Sequence, residues 1–119
     1  MAVLAIVDDL IFRSKLEAAA AEAGVALCFS RDPATPQSDS RDPWRLAIID
    51  VGASSALELI TILRTRFPGL PLVGYYAHVD TTLRARAEAA GCDRVLPRSA
   101  FIQQLPAILT GALTPPKRV

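Results

Sequence analysis

The sequence predicts an α/β domain built on a parallel five-stranded sheet that helices cover on both faces. Short apolar runs rich in β-branched residues alternate with segments whose apolar residues recur at helical spacing. The order is strand, helix, strand, loop, and then three more strands that are each followed by a helix. Such alternation within 119 residues fits one domain whose parallel strands are joined by right-handed crossovers.

The end of the first apolar run marks the boundary between the first predicted strand and the first predicted helix. Residues 2–7 form a continuous apolar run, as in a parallel strand buried on both faces, and Asp8 and Asp9 end it. Residues 10–23 place apolar side chains at helical spacing. Gly24 suits the position that follows the end of a helix.

Prolines interrupt the next part of the chain. Residues 25–30 predict a second strand, whereas residues 31–43 contain three prolines and predict a loop, because proline breaks helices. A third strand follows at 45–50 and ends in Asp50. We interpret Trp44, just before it, as a hydrophobic plug.

The next elements are a helix, a strand and a second helix. The helix at 54–67 begins at Ser54 or Ser55, since either side chain can accept a hydrogen bond from a backbone N–H of the first turn. A Pro-Gly pair follows the helix. A strand at 71–76 enters through a proline, and residues 81–90 predict a helix that a glycine ends.

The chain closes with a short strand and an amphipathic helix. The strand is predicted at 94–97 and the helix at 101–113. Pro106 is tolerated in that helix only in its first turn or as a kink. We therefore place the domain at residues 1–114 and a Pro-rich basic tail at 115–119.

The composition narrows the classes of function. Hydrophobic residues make up 51% of the chain and charged residues 21%, which argues for a packed core and against global disorder. The net charge of +1 gives no concentrated positive field, so this domain is not expected to bind nucleic acid. No apolar run reaches the roughly 18 residues that span a bilayer, and the first run lacks a basic flank. We expect no membrane segment and a cytoplasmic location.

The cysteines and the histidine do not indicate a metal site. The chain has two cysteines, Cys28 and Cys92, which form no CxxC pair, and its one histidine is His78. A zinc site would therefore lack ligands. We interpret the cysteines as buried or half-buried thiols of a reducing compartment, and His78 as a loop residue.

Three carboxylates are predicted to converge at one edge of the sheet. In a doubly wound sheet of order 2-1-3-4-5 the first and third strands are neighbours. The carboxyl ends of these two strands would therefore bring together Asp8, Asp9 and Asp50. Carboxylates at such a short distance repel one another unless a cation neutralises their charge. Mg²⁺ is suited to this role because it binds a few carboxylates and keeps several waters. The alternative is that Asp8 or Asp9 only caps the first helix and that Asp50 ends a strand in solvent.

At this point the chain resembles the response-regulator receiver family. The run VLAIVDD is similar to the opening of that family, and LAIID at 46–50 is similar to its phosphoacceptor strand. Residues 71–98, PLVGYYAHVDTTLRARAEAAGCDRVLPR, match the family pattern without gaps. The resemblance implies a flavodoxin-like (CheY-like) fold of order 2-1-3-4-5, with the second helix shortened or missing at 31–43.

The resemblance also implies a site. Asp50 falls on the phosphoacceptor, and Asp8, Asp9, Asp50 and the backbone carbonyl of Gly52 fall on the ligands of Mg²⁺. In the family, the metal neutralises oxygen charge while the aspartate takes a phosphoryl group from a histidine kinase. Because several features of this site are altered, we expect Mg²⁺ binding to be weak.

The altered features are side chains that the family uses to respond to the phosphoryl group. Tyr76 replaces the hydroxyl residue, Thr or Ser, at the end of the fourth strand, and Arg98 replaces the lysine in the fifth. Arginine keeps the charge, but its planar fork does not copy an ammonium. Val95 replaces the aromatic switch residue, and Ser99 replaces a proline. The alternative is that Tyr76 only packs at the sheet end and that Arg98 is solvated.

The first hypothesis is an atypical receiver that acts as a protein-interaction module, with phosphorylation of Asp50 absent or weak. Its partner would be a histidine kinase, an output protein or a second copy of the chain. The predicted contact surface comprises helix 81–90, strand 94–97 and helix 101–113. The predicted contact residues are Arg84, Arg86, Arg94 and Val95.

Two other hypotheses remain open. One is a genuine Mg²⁺-dependent phosphoacceptor of a two-component phosphorelay with unusual switching residues. The other is an enzyme or FMN carrier, but an FMN site needs a phosphate loop rich in small and hydroxyl residues, and DDLIFR is acidic and bulky there. No Cys–His or Ser–His pairing has suitable placement. We expect no enzymatic activity and no organic cofactor.

Overall fold

Strands and helices alternate along the chain, as the sequence predicts. The computed structural model describes residues 2–7, 9–29, 44–52, 56–76 and 81–110. The strands are β1 (Ala2–Ile6), β2 (Ala26–Phe29), β3 (Trp44–Asp50), β4 (Leu72–Tyr76) and β5 (Arg94–Pro97). The helices are α1 (Leu10–Ala23), α2 (Ala56–Arg66), α3 (Thr81–Ala90) and α4 (Arg98–Thr110). The predictions for Ser54, Ser55 and His78, for the loop and missing helix at 31–43, and for the tail at 115–119 fall outside the described residues.

All five strands are parallel and form one sheet in the order β2-β1-β3-β4-β5. This confirms the predicted fold class and strand order. β1 and β3 pair directly, with Ile6 opposite Ile49, so the switch in strand order lies between them. That switch is where ligands collect in open α/β sheets.

Two hydrophobic cores lie on the two faces of the sheet, because successive side chains of a strand point to opposite faces. One core lies under α2 and α3 and contains Ile49 and Ile60. The other lies under α1 and α4 and contains Ile48 and Phe12. All four side chains are fully buried, and each such burial contributes about 1.5–3 kcal/mol. No helix in the described part of the chain is long and apolar enough to cross a bilayer.

The last helix begins earlier than predicted. Pro97 ends β5 and α4 starts at the next residue, Arg98, so no loop separates the two elements. Pro106 therefore lies well inside the helix, so of its two predicted places the first turn is excluded. The helix is anchored by Phe101 and Leu105, which are buried in the core beneath it. Burial of that apolar stripe outweighs the hydrogen bond that a proline cannot donate.

Several smaller predictions are confirmed. Gly24 ends α1 in the left-handed region, with φ 69°. Trp44 is buried as the first residue of β3, which begins one residue earlier than predicted. Both cysteines are free thiols: Cys28 is half-buried and Cys92 is buried. Burial raises the pKa of the Cys92 thiol to about 12, so this thiol stays protonated at neutral pH.

One arginine, which the sequence did not indicate, links three parts of the fold through hydrogen bonds and an ion pair. The Arg64 guanidinium donates to the carbonyl oxygens of Pro68 at 2.7 Å and Gly91 at 2.7 Å. It also pairs with the Asp93 carboxylate at 2.7 Å, and that carboxylate accepts from the Leu72 N–H at 2.9 Å. The end of α2, the start of β4 and the turn before β5 are thereby fixed relative to one another.

Replacing Arg64 should destabilise the fold. We expect Arg64→Gln to lower the free energy of unfolding by about 2–3 kcal/mol, because part-buried carbonyls and the Asp93 carboxylate lose a charged donor. Urea denaturation measures the difference. Arg84→Gln is the matched control, since the Arg84 side chain is 52% exposed and lies 3.7 Å from Glu88. A loss no larger than that of the control would contradict the assigned role.

Candidate functional site: the acidic edge

The carboxyl ends of β1 and β3 bring two aspartates to the same edge of the sheet. Ile6 and Ile49 are register partners, so Asp50 follows one residue beyond that level and Asp9 begins the adjoining helix. We call this edge, with Asp9, Asp50 and Arg98, the acidic edge. Asp8 lies outside the described residues, so the predicted set of three carboxylates stays a prediction.

Asp9 is the N-cap of α1. Its Oδ1 accepts from the backbone N–H groups of Ile11 at 2.9 Å and Phe12 at 3.2 Å. The Phe12 N–H, the Ile11 N–H and the nearby Arg98 guanidinium lower the pKa of this carboxyl, and partial burial opposes them. Asp9 therefore caps α1, and its predicted metal-binding role stays a prediction.

Arg98 lies against the same carboxylate from the other side of the site. Its Nη2 is 3.1 Å from Asp9 Oδ2, and the two side chains are 34% and 37% exposed. The carbon of its guanidinium lies 5.1 Å from the centroid of the Phe12 ring, within cation–π range. The alternative of a merely solvated Arg98 is wrong, because both a charge and a ring hold its head group.

Asp50 is half-buried at the end of β3. Its Oδ1 accepts from the backbone N–H of Gly52 at 3.0 Å, which closes a turn over residues 50–52. The Val51 N–H donates to the Tyr75 carbonyl at 2.9 Å, so β3 and β4 remain joined past Asp50. The predicted metal-binding role of the Gly52 carbonyl stays a prediction.

A glycine in the middle of β4 helps to position the loop after Asp50. Val51 is buried, and a Cβ at Gly74 would overlap its Cγ2 and approach Cys92 Sγ at 3.2 Å. The Val51 side chain therefore occupies the space that a larger residue at 74 would take. The sequence contained a signal for this contact, since a glycine inside a buried strand often marks close approach of another group.

The two tyrosines of β4 point to opposite faces. Tyr75 is the register partner of Asp50 and lies in the core under α1 and α4. Its ring stacks on Phe12 with centroids 4.2 Å apart and contacts Phe101 at 5.2 Å. Sequence reasoning missed this cluster because it did not assign the two tyrosines to faces.

Tyr76 and Val95 belong to the other core, under α2 and α3. They are 5% and 2% exposed. The Tyr76 side chain thus takes the opposite face from Tyr75, the register partner of Asp50. Val95 was predicted as an interface residue, and this is wrong because its side chain is buried. Of the other predicted contact residues, Arg84 and Arg86 are exposed and Arg94 is half-buried.

The described side chains of the acidic edge do not fit a resident divalent cation. The described ranges contain no group of three or more ligating side chains. Both oxygens of Asp9 are engaged, one by backbone N–H groups and the other by Arg98. Mg²⁺ takes near-ideal octahedral geometry and dehydrates reluctantly, so a carboxylate already paired with a guanidinium is a poor ligand for it.

Solved structures with this fold include response-regulator receivers. No protein-family model matches the chain, and no curated protein does either. A CheY-like receiver domain protein from Methanospirillum hungatei JF-1 is 14% identical with a TM-score of 0.77, and the match covers 93% of this chain and 91% of that one. A putative pilus assembly-related protein from Burkholderia pseudomallei is 20% identical with a TM-score of 0.72, over 99% and 94%.

A third similar structure carries a modified aspartate. It is a response regulator from Burkholderia pseudomallei with a phosphorylated aspartic acid, a calcium ion and citrate. It is 20% identical with a TM-score of 0.71, and the match covers 90% of this chain and 65% of that one. At these identities the likeness establishes the fold, which is that of response-regulator receiver domains.

A first test concerns Gly74. We expect Gly74→Ala to lower the free energy of unfolding by about 1–3 kcal/mol, because the added methyl group overlaps Val51. It should also shift the amide resonances of Val51 and Gly52. Gly69→Ala is the matched control, since a Cβ there meets nothing within 4 Å. Equal stability of the two variants in urea would contradict the packing described.

A second test concerns the protonation of Asp9. An NMR titration should give a carboxyl pKa below that of a free aspartate, and Arg98→Gln should raise it only part of the way, because the backbone N–H donors remain. A carboxyl whose pKa is lowered by folding stabilises the fold above the unfolded pKa. That contribution is lost as the pH falls through the folded pKa. An unshifted pKa in the wild type would rule out the cap and the ion pair.

Proposed function

We propose that the chain is an atypical receiver that acts as a protein-interaction module in signal transduction, with phosphorylation of Asp50 absent or weak. The observation that carries the proposal is the burial of Tyr76 and Val95 in one core. In the receiver family these two positions hold a small hydroxyl residue and a switch aromatic. Here they hold a buried tyrosine and a buried valine, so both the small hydroxyl residue and the aromatic that moves after it are missing.

The chemistry of the acidic edge supports the same conclusion. A phosphoryl group on Asp50 would need a cation to neutralise its negative charge. Arg98, which lies at this edge, is already paired with Asp9. Mg²⁺ binding at this edge is weak at most, since Asp9 serves as a helix cap. A phosphorylated state would gain little stabilisation, and it would not reach the usual switch residues.

The face of α3, β5 and α4 is the proposed contact surface. Arg84 and Arg86 are exposed on α3, and Arg94 is half-buried at the start of β5. Arginine is enriched at interfaces because its planar head group makes several hydrogen bonds. The proposed partner is a protein, namely a histidine kinase, an output protein or a second copy of the chain. We propose neither nucleic-acid binding nor enzymatic activity for this domain.

A working Mg²⁺-dependent phosphoacceptor is the second candidate. Asp50 ends β3 and is half-buried, which leaves part of its carboxyl accessible. A structure with the same fold carries a phosphorylated aspartic acid. This candidate requires Arg98 to leave Asp9 during the reaction, so that a metal can approach the edge.

Phosphorylation by a small donor separates the two candidates. We expect only a trace of modified chain after incubation with acetyl phosphate and Mg²⁺, because Asp9, a predicted metal ligand, is already paired with Arg98. Intact-mass spectrometry measures the modified fraction, and Asp50→Asn corrects for adventitious modification. Near-stoichiometric acyl phosphate that disappears in Asp50→Asn would instead establish the phosphoacceptor.

A further inference from the structure

We infer that Arg98 is the resident counter-cation of the acidic edge and that it excludes divalent metal ions from Asp9. The residue at the position of the family lysine thus determines which cation the edge accepts. The inference rests on the geometry of Asp9 and Arg98 and concerns metal binding in the absence of any phosphodonor. The inference about metal exclusion can therefore fail while the proposed interaction module stands, and the proposed interaction module can fail while metal exclusion stands.

Two contacts independent of each other hold the guanidinium. One is the ion pair, with Arg98 Nη2 3.1 Å from Asp9 Oδ2. The other is the face of the Phe12 ring, whose centroid is 5.1 Å from the guanidinium carbon. A planar guanidinium can stack on a ring and still donate to a carboxylate, whereas an ammonium is a compact and strongly hydrated charge.

The aromatic cluster positions both the backbone of Arg98 and the Phe12 ring that its guanidinium contacts. Arg98 is the first residue of α4, and Phe101, three residues later, is fully buried. The Phe101 ring contacts Phe12 at 5.7 Å and Tyr75 at 5.2 Å. The backbone that carries Arg98 and the ring that receives its head group are therefore anchored in one packed cluster. This preorganisation reduces the entropy lost when the side chain is held.

A divalent ion at Asp9 would meet a filled site. Oδ1 already accepts two backbone N–H groups, and Oδ2 accepts from Arg98. The ion would have to displace the guanidinium or lie beside its positive charge. In a part-exposed site the repulsion between a divalent ion and a neighbouring cation remains considerable. The charge at this edge is therefore set by the chain and not by the metal concentration of its surroundings.

The test uses Mn²⁺ as a probe, since Mn²⁺ and Mg²⁺ both favour oxygen ligands in octahedral geometry. Free Mn²⁺ is measured by electron paramagnetic resonance. Binding at the edge is located by paramagnetic broadening of the amide resonances of Ile11, Phe12 and Gly52. The variants are Arg98→Gln, Arg98→Met, and Arg98→Gln combined with Asp9→Asn. Arg98→Met keeps the aliphatic stem, so it serves if Arg98→Gln does not fold.

We expect wild-type protein to show no saturable Mn²⁺ binding at the edge, and the single Arg98 variants to bind at least about tenfold more tightly. The double variant should lose that gain. Arg84→Gln is the matched control, since it removes one positive charge from an exposed side chain that pairs with Glu88 and not with Asp9, and it should behave as wild type. Tight wild-type binding with broadening at Gly52, or no gain in either Arg98 variant, would overturn the inference. So would an equal gain in Arg84→Gln or persistence of the gain in the double variant.

Discussion

The direct parallel pairing of β1 with β3 is the constraint on which the rest of this structure depends. Ile6 and Ile49 are partners in that pairing, and both strands are buried on both faces. A slip by one residue would exchange the side chains of the two cores, so the packing fixes the register. Because the register is fixed, Asp9 and Asp50 must emerge at one edge, whatever chemistry the loops then provide.

The second constraint is the aromatic packing beneath that edge. Tyr75, Phe12 and Phe101 come from a strand and two helices and form one cluster. Arg98 extends from this cluster to Asp9, which also caps α1. The acidic edge is therefore stabilised by contacts within the chain itself. The family that shares this fold uses a lysine and a metal ion there.

The sequence was informative where a pattern is local. Apolar runs and their stops predicted the strands, and the order of elements with the receiver motifs predicted the sheet. The predicted start of α4, at residue 101, is wrong, since the helix begins at Arg98 directly after β5. Pro106 lies inside this helix, where burial of Phe101 outweighs its cost. The contacts of Arg64 were not predictable, since they join residues 27 positions apart. The receiver resemblance placed Arg98 and Asp9 at one site but did not indicate the ion pair between them. The prediction of Val95 as a contact residue is wrong because resemblance to a family pattern gives the position of a residue but not its burial.

The central claim is that Arg98 neutralises Asp9 within the folded chain. A double-mutant cycle of Asp9→Asn and Arg98→Gln in urea tests it most directly, because asparagine still caps a helix and the cycle isolates the charge. The account predicts that the double variant is less destabilised than the sum of the single variants, and that the difference shrinks as salt rises. Strict additivity at low salt would contradict it.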